Sequence, residues 1–144
     1  MWLYFNKYGK ILENLTHGPN ARVGDTTFEI FAALPTELIE NYPLAEVKFV
    51  KPDLYNTVLT AGNNQFVMTV HSDTYSKEEE DGNPIHFVDG QRYTGFIFET
   101  GDFTDGQEVF ELLDTPGYWS VIITLYTADR RKRHVLDRVK FLCY

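Results

Sequence analysis

Apolar and polar residues alternate along nearly the whole chain, and a period of two is the pattern of half-buried β-strands. One clear run spans residues 26–34, and its predicted inward face is Phe28, Ile30, Ala32 and Leu34. A longer run begins after Gly117, and its predicted inward face is Trp119, Val121, Ile123 and Leu125. After a polar turn over residues 128–133, a third set is predicted to share one face: Val135, Val139, Phe141 and Cys143. The last two runs predict a long antiparallel hairpin.

Shorter alternating runs predict further strands, over residues 45–49, 56–59, 66–70, 85–88 and 93–99. Residues 35–43 are bounded by prolines and allow one helical turn or none. The polar stretch 72–84 is interpreted as a surface loop. Because no run supplies a crossover helix, a parallel sheet is disfavoured. We therefore predict an all-β fold, specifically an immunoglobulin-like antiparallel β-sandwich.

The N-terminus predicts a β-hairpin, since residues 2–6 and 11–15 flank a turn in which Gly9 can supply a positive φ. We assign residues 1–20 to a hairpin arm and residues 21–144 to the sandwich, within one compact unit. The first strand is apolar at consecutive positions, and a strand hides both faces only if something covers each. The sequence therefore predicts a partner interface, at Trp2, Tyr4 and Phe5.

A basic run occupies the predicted C-terminal turn, and its arginines are Arg130, Arg131 and Arg133. One interpretation is a solvated hairpin tip whose charge discourages edge-to-edge pairing. The other is an electrostatic contact to an acidic neighbour, including another copy of this chain. We include these three arginines in the predicted interface.

Composition narrows the classes of partner. The 144 residues carry a net charge of −8, which disfavours general nucleic-acid binding. No apolar run is long enough for a membrane span, and the N-terminus lacks the features of a signal peptide. Cys143 is the one cysteine, so an intrachain disulfide is excluded.

No motif for catalysis or metal binding emerges. The histidines, at positions 17, 71, 86 and 134, lack the i, i+2 or i, i+4 spacing of metal ligands. The acidic clusters at 78–81 and 99–105 are interpreted as solvated loops. We therefore predict no catalytic residue, metal, cofactor or small-molecule substrate. A small hydrolase would need four residues to converge: His71, His86, Glu99 and Asp102. Exposed aromatics such as Tyr93 or Tyr118 would instead suit a carbohydrate-binding module.

Three stretches together resemble the N-terminal domain of bacteriophage upper baseplate proteins and related adaptor domains of phage tail and fibre proteins. They are residues 26–31, residues 45–53 and residues 115–126, with residues 139–141 as the closing strand. The resemblance covers residues 26–144 and leaves the N-terminal hairpin outside. It implies a non-enzymatic virion protein, made in the bacterial cytoplasm, that docks other virion proteins and copies of itself. The role would be in a baseplate, tail, collar or fibre anchor, and no site residues accompany the resemblance.

Overall fold

The computed structural model describes residues 1–14, 21–52, 56–60, 65–69, 76–78, 84–86, 92–100, 104–105, 108–109 and 113–144. Over these residues the chain is mostly β-strand, as predicted, with one short helix, α1 (Thr36–Asn41). The strands are β1 (Trp2–Phe5), β2 (Ile11–Asn14), β3 (Glu29–Pro35), β4 (Leu44–Val50), β5 (Asn56–Thr60), β6 (Gln65–Thr69), β7 (Ser76–Glu78), β8 (Pro84–His86), β9 (Arg92–Glu99), β10 (Thr104–Asp105), β11 (Glu108–Val109), β12 (Gly117–Tyr126), β13 (Arg133–Val135) and β14 (Val139–Cys143).

The first large sheet has the strand order β2-β1-β3-β9-β6. Its pairs are antiparallel except that β1 runs parallel to β3, with Trp2 opposite Phe31 and Tyr4 opposite Ala33. The predicted N-terminal hairpin therefore forms as β1 and β2. It is an integral edge of this sheet and not an arm beside it, because β1 lies between β2 and β3.

The second large sheet is built around β12, the longest strand. On one side β12 pairs with β4, which pairs with β5, and on the other side it pairs with both β13 and β14. The described part of the chain also contains two small ladders, β7 with β8 and β10 with β11, and an isolated parallel bridge between Ala21 and Cys143. Strand β7 lies inside the stretch predicted to be a loop, so that part of the prediction is wrong.

One hydrophobic core joins the two large sheets, because the inward faces of both contribute to a single cluster of buried side chains. The predicted faces of β3 and β12 are both buried. Phe141 lies among three aromatic rings, with centroids 4.9 Å from Phe28, 6.2 Å from Phe49 and 6.4 Å from Trp119. The indole of Trp119 satisfies its buried N–H by donating to the Thr115 carbonyl at 2.8 Å.

The C-terminal strand is broken, and this corrects one predicted face. Val135 is 55% exposed, whereas Val139, Phe141 and Cys143 are buried. Val135 pairs with Thr124 and Val139 pairs with Val121, so the β13–β14 side holds one residue more than β12 does. An extra residue of this kind is a β-bulge, and it reverses the face of every residue on one side of it.

Two ends of the molecule can be defined from the strand directions. The upper end holds the turn after β1, helix α1, the start of β9 and the turn over residues 127–132. The lower end holds the starts of β3 and β12 and the ends of β9 and β14. Helix α1 places Leu38 and Ile39 in the core at the upper end.

We predict that Phe141→Ala lowers the free energy of unfolding by about 3–5 kcal/mol, because it removes an aromatic side chain from the centre of the core. Urea unfolding followed by tryptophan fluorescence measures the change. The matched control is Tyr8→Ala, in which the truncated ring is exposed and the change is expected to stay within about 0.5 kcal/mol. Equal losses in the two variants would contradict the assignment of Phe141 to the core.

Candidate functional site

The apolar residues of β1 do not form the exposed surface that the sequence predicts. Phe5 is 0% exposed and belongs to the core, and Tyr4 is 6% exposed. The Tyr4 ring meets the edge of the Tyr93 ring on the opposite face, at a centroid distance of 5.6 Å. The interface prediction is therefore wrong for Tyr4 and Phe5, because the chain itself covers both faces of β1. The prediction for the Trp2 side chain lies outside the described residues.

The turn that follows β1 is exposed instead, and the Asn6 side chain shapes it. The Asn6 Oδ1 accepts hydrogen bonds from the backbone N–H of Tyr8 at 2.8 Å and of Lys10 at 2.9 Å. The ring of Tyr8 is 71% exposed, with the Lys7 ammonium 5.1 Å from its centroid. This turn therefore presents two cations, Lys7 and Lys10, around an aromatic ring on a hydrogen-bonded backbone.

The turn between β12 and β13 is braced in a similar way by Thr127 and Asp129. The Asp129 Oδ1 accepts from the Thr127 hydroxyl at 2.6 Å and from the Arg131 backbone N–H at 3.0 Å. These two bonds hold the pKa of Asp129 below its ordinary value. The Thr127 N–H donates to the Lys132 carbonyl at 3.0 Å, which closes the loop. The basic side chains of this turn are therefore attached to a backbone that is held by hydrogen bonds.

Arg130 occupies a special position in that turn. Its φ of 58° lies in the left-handed region, which non-glycine residues seldom adopt. Its guanidinium lies 5.7 Å from the centroid of the Tyr126 ring, within the range of a cation–π contact. The turn thereby directs Arg130 towards Tyr126, the last residue of β12.

The first turn contacts the segment that follows the second turn, residues 134–137, at the upper end. The Asp137 backbone N–H donates to the Gly9 carbonyl at 2.8 Å, and the Asp137 Oδ2 accepts from the Ile11 N–H at 3.0 Å. Gly9, with a φ of +79°, packs so closely on His134 that an added Cβ would lie 2.6 Å from the imidazole Nε2. His134 directly follows Arg133, so the first turn touches the strand that leaves the second turn, and the cations of both turns lie at the same end of the molecule.

We call this surface the basic double turn, and it consists of Lys7, Tyr8, Lys10, Arg130, Arg131, Lys132 and Arg133, all exposed. Two carboxylates stand among these side chains, and both are engaged by the turns themselves: Asp129 by its own loop and Asp137 by Ile11. The Arg131–Asp129 ion pair is long, at 3.9 Å, and exposed, so it neutralises little. Six cations against these two carboxylates still give this region a net positive charge, on a chain whose net charge is −8.

The sequence prediction named three of these seven residues, and Lys132 lies in the same basic run. Arg130, Arg131 and Arg133 are exposed at a hairpin tip, as the polar turn indicated. Lys7, Tyr8 and Lys10 were missed, because their proximity to the tip depends on contacts between residues 9 and 137 that no local pattern reveals. The available signal was the pair of lysines around Gly9 in a predicted hairpin turn.

Of the two aromatic residues that the sequence suggested for sugar binding, one is buried and one is exposed. Tyr93 is buried at 3% exposure, so the expectation that it forms an open platform is wrong. Tyr118 is 67% exposed on the outer face of β12, opposite Leu142 on β14. Nearby, Tyr144 is also exposed, but Arg22 lies 5.3 Å from its ring centroid and donates to its hydroxyl at 3.1 Å.

The residues considered for catalysis or metal binding remain apart from this surface or beyond what is described. His71 and Asp102 lie outside the described residues, as does the side chain of His86, and Glu99 ends β9 at the lower end. Among the residues that the structure describes, no three His, Cys, Asp or Glu side chains are placed to hold a metal ion. The described part of the chain also contains no helix long and apolar enough to cross a membrane.

No family model, curated protein or solved structure matches this chain.

We predict that Gly9→Ala destabilises the protein by about 1–2 kcal/mol, because alanine is strained at this positive φ and its Cβ meets the His134 ring. Thermal unfolding measures the loss. The matched variant is Gly9→Ala combined with His134→Ala, which removes the clash with the imidazole and keeps the backbone strain and the tight contact with Leu136. The double variant is therefore expected to lose less than the two single losses combined, and strict additivity would contradict the contact between the two turns.

Proposed function

We propose that this chain is a non-enzymatic assembly adaptor that docks acidic protein surfaces through the basic double turn. In line with the resemblance of residues 26–144 to phage adaptor domains, its place is in a bacteriophage virion, as a baseplate, tail, collar or fibre-anchoring component. The observation that supports the docking role is the attachment of one braced turn to the segment that follows the other, which brings six exposed cations to one end of the molecule.

Rigidity supports a docking role because ordering loose side chains and loops weakens association. Asn6 fixes the first turn, Thr127 and Asp129 fix the second, and the Asp137 contacts fix their separation. A partner therefore meets a preformed backbone and orders only the long basic side chains.

The affinity for an acidic partner depends more on the number of cations than on any single ion pair. Exposed pairs contribute about 0.2–1 kcal/mol each, so one pair cannot hold a complex. Six cations around an exposed aromatic ring supply several such contacts at once, and complementary charge also raises the association rate. An acidic protein surface fits this pattern better than nucleic acid, because the remainder of this −8 chain repels a long polyphosphate.

The proposal includes an immunoglobulin-like arrangement of the two sheets. It is supported by the mainly antiparallel pairing, by the single core between the sheets and by the turns that cluster at the two ends. Such a scaffold presents end turns as the docking surface while the sheets supply stability.

The docking role is tested with a fluorescently labelled peptide rich in aspartate and glutamate, titrated with the full chain and followed by anisotropy. We expect saturable binding that weakens as the salt concentration rises from about 0.05 M to about 0.5 M. Reversal of charge in Arg130→Glu/Arg131→Glu/Arg133→Glu is expected to reduce the affinity at least tenfold, about 1.4 kcal/mol.

The control is Arg22→Glu/Lys140→Glu, which reverses two exposed cations, one at the lower end and one on β14. It is expected to retain the wild-type affinity within about twofold, since these side chains lie outside the proposed contact. Equal binding by the triple variant and the wild type would contradict the proposal, as would tighter binding of a DNA duplex than of the peptide.

A second candidate function, a carbohydrate-binding module contacting a bacterial surface, is favoured by one observation. Tyr118 presents an exposed ring on a regular strand, and the ring is held by β12 on a rigid sheet. An aromatic ring of this kind offers an apolar face with a polar hydroxyl at its edge. We expect a glycan array to show binding that Tyr118→Ala abolishes if this function is correct. Signals that are absent, or equal in both proteins, would rule it out.

A further inference from the structure

The second large sheet turns a face with many apolar side chains away from the core. The inward face of β12 is buried, so the alternate residues of this strand point outward. Residues directly opposite each other on paired strands share a face, and the registers therefore extend the outward face across β4, β13 and β14. We call it the outer face, and its partly or largely exposed apolar residues are Leu44, Tyr118, Ile122, Tyr126, Val135 and Leu142.

Two of these side chains are well exposed, one towards each end of the molecule. Tyr118 is 67% exposed towards the lower end, and Val135 is 55% exposed towards the upper end. Tyr118, Ile122 and Tyr126 recur at every fourth position of β12. At a rise of about 3.3 Å per residue they form a row about 26 Å long. Because a sheet face that meets only water is usually polar, this row is apolar surface that the core leaves unused.

Most of the charged side chains on the outer face are cations. Three of them lie directly opposite residues of β12, and these are Lys48, Lys140 and Arg133. Among the described side chains of the outer face, Glu46 is the one carboxylate. Lysine and arginine lay their stems along apolar surface and keep the charge in water. The outer face is therefore both apolar and net positive, on a chain whose net charge is −8. Its complement combines apolar and acidic residues.

The outer face offers side chains to a partner but no backbone hydrogen bonds. Strand β12 lies between β4 and the pair β13 and β14, and β4 lies between β12 and β5. A segment that covers these central strands must therefore satisfy its own N–H and C=O groups. An α-helix does so internally, and an apolar stripe along a helix packs on a sheet face. A row of about 26 Å matches a helix of about 17 residues at a rise of about 1.5 Å per residue.

We propose that the outer face docks an amphipathic, acidic α-helix of another protein. The apolar stripe of this helix covers Tyr118, Ile122 and Val135, and its flanking carboxylates pair with Lys48, Lys140 and Arg133. Charge complementarity selects an acidic helix over a basic one, and burial of the apolar row supplies most of the affinity. This contact goes beyond the proposed docking at the basic double turn. The two surfaces adjoin at Arg133, but neither needs the other to bind.

The probe is a fluorescently labelled peptide of about 18 residues, with leucines at i, i+3, i+4 and i+7 spacing and glutamates on the other faces of the helix. A peptide of the same composition, in an order that gives no helical stripe, is the control. Each is titrated with the full chain and followed by anisotropy, and circular dichroism follows the helicity of the peptide. We expect the striped peptide to bind and gain helicity, and the control peptide to bind about tenfold more weakly. Apolar burial is not screened, so most of the affinity is expected to persist at about 0.5 M salt.

The central variant is Val135→Asp, which places a carboxylate in the apolar contact. Its matched control is Val23→Asp, because Val23 is also an exposed valine, 40% exposed, and lies beside Tyr144 outside the outer face. We expect Val135→Asp to weaken binding of the striped peptide about tenfold and Val23→Asp to leave it within about twofold. If Val135→Asp does not fold, Lys48→Glu/Lys140→Glu takes its place, with the same loss expected from charge repulsion.

Equal binding of the striped peptide by Val135→Asp and Val23→Asp would overturn the proposal, as would equal binding of the two peptides by the wild type. Binding to anionic lipid vesicles, or to a glycan through Tyr118, by a chain that ignores the striped peptide would also overturn it. A chain that binds the peptide rich in aspartate and glutamate but not the striped peptide would keep the basic double turn as a docking surface and lose the outer face. The opposite result would support the outer face and remove docking at the basic double turn.

Discussion

The upper end of the molecule depends on one pair of hydrogen bonds at Asp137. Its backbone N–H donates to the Gly9 carbonyl and its carboxylate accepts from the Ile11 N–H, so the first hairpin is fixed to the last strands. The β-bulge after Val135 makes this contact available. Leu136 turns inward and donates to the Ile123 carbonyl, while the next residue is released from the ladder with β12. The β-bulge thereby lets Asp137 connect the first large sheet to the second at one edge.

The same contact explains why the proposed docking surface is composite. The two turns are far apart in sequence, and each is braced by its own polar side chains. Separately, each would offer only a few exposed cations, and such contacts are individually weak. At one end of the molecule they place six exposed cations, and a positive region of this kind is what the proposed docking to acidic partners requires.

Whether a structural feature could be predicted from the sequence depends on whether a local pattern or a long-range contact determines it. The inward faces of β3, β4 and β12 followed from simple alternation, because burial on one side of a regular strand imposes a period of two. The exposure of Val135, the parallel pairing of β1 with β3 and the strand β7 did not follow, since a bulge and long-range pairing leave no local pattern. Arg130 was predictable as a charged tip, but its neighbours Lys7 and Lys10 required the tertiary contact.

The most direct test of this account is an NMR titration of the isotopically labelled chain with the acidic peptide. The central claim is that the two turns form a single binding surface. We predict that the backbone amides of Lys7, Tyr8 and Lys10 shift together with those of residues 130–133, along one binding curve with a common dissociation constant. Shifts confined to residues 130–133, with the first turn unchanged at saturation, would contradict the claim.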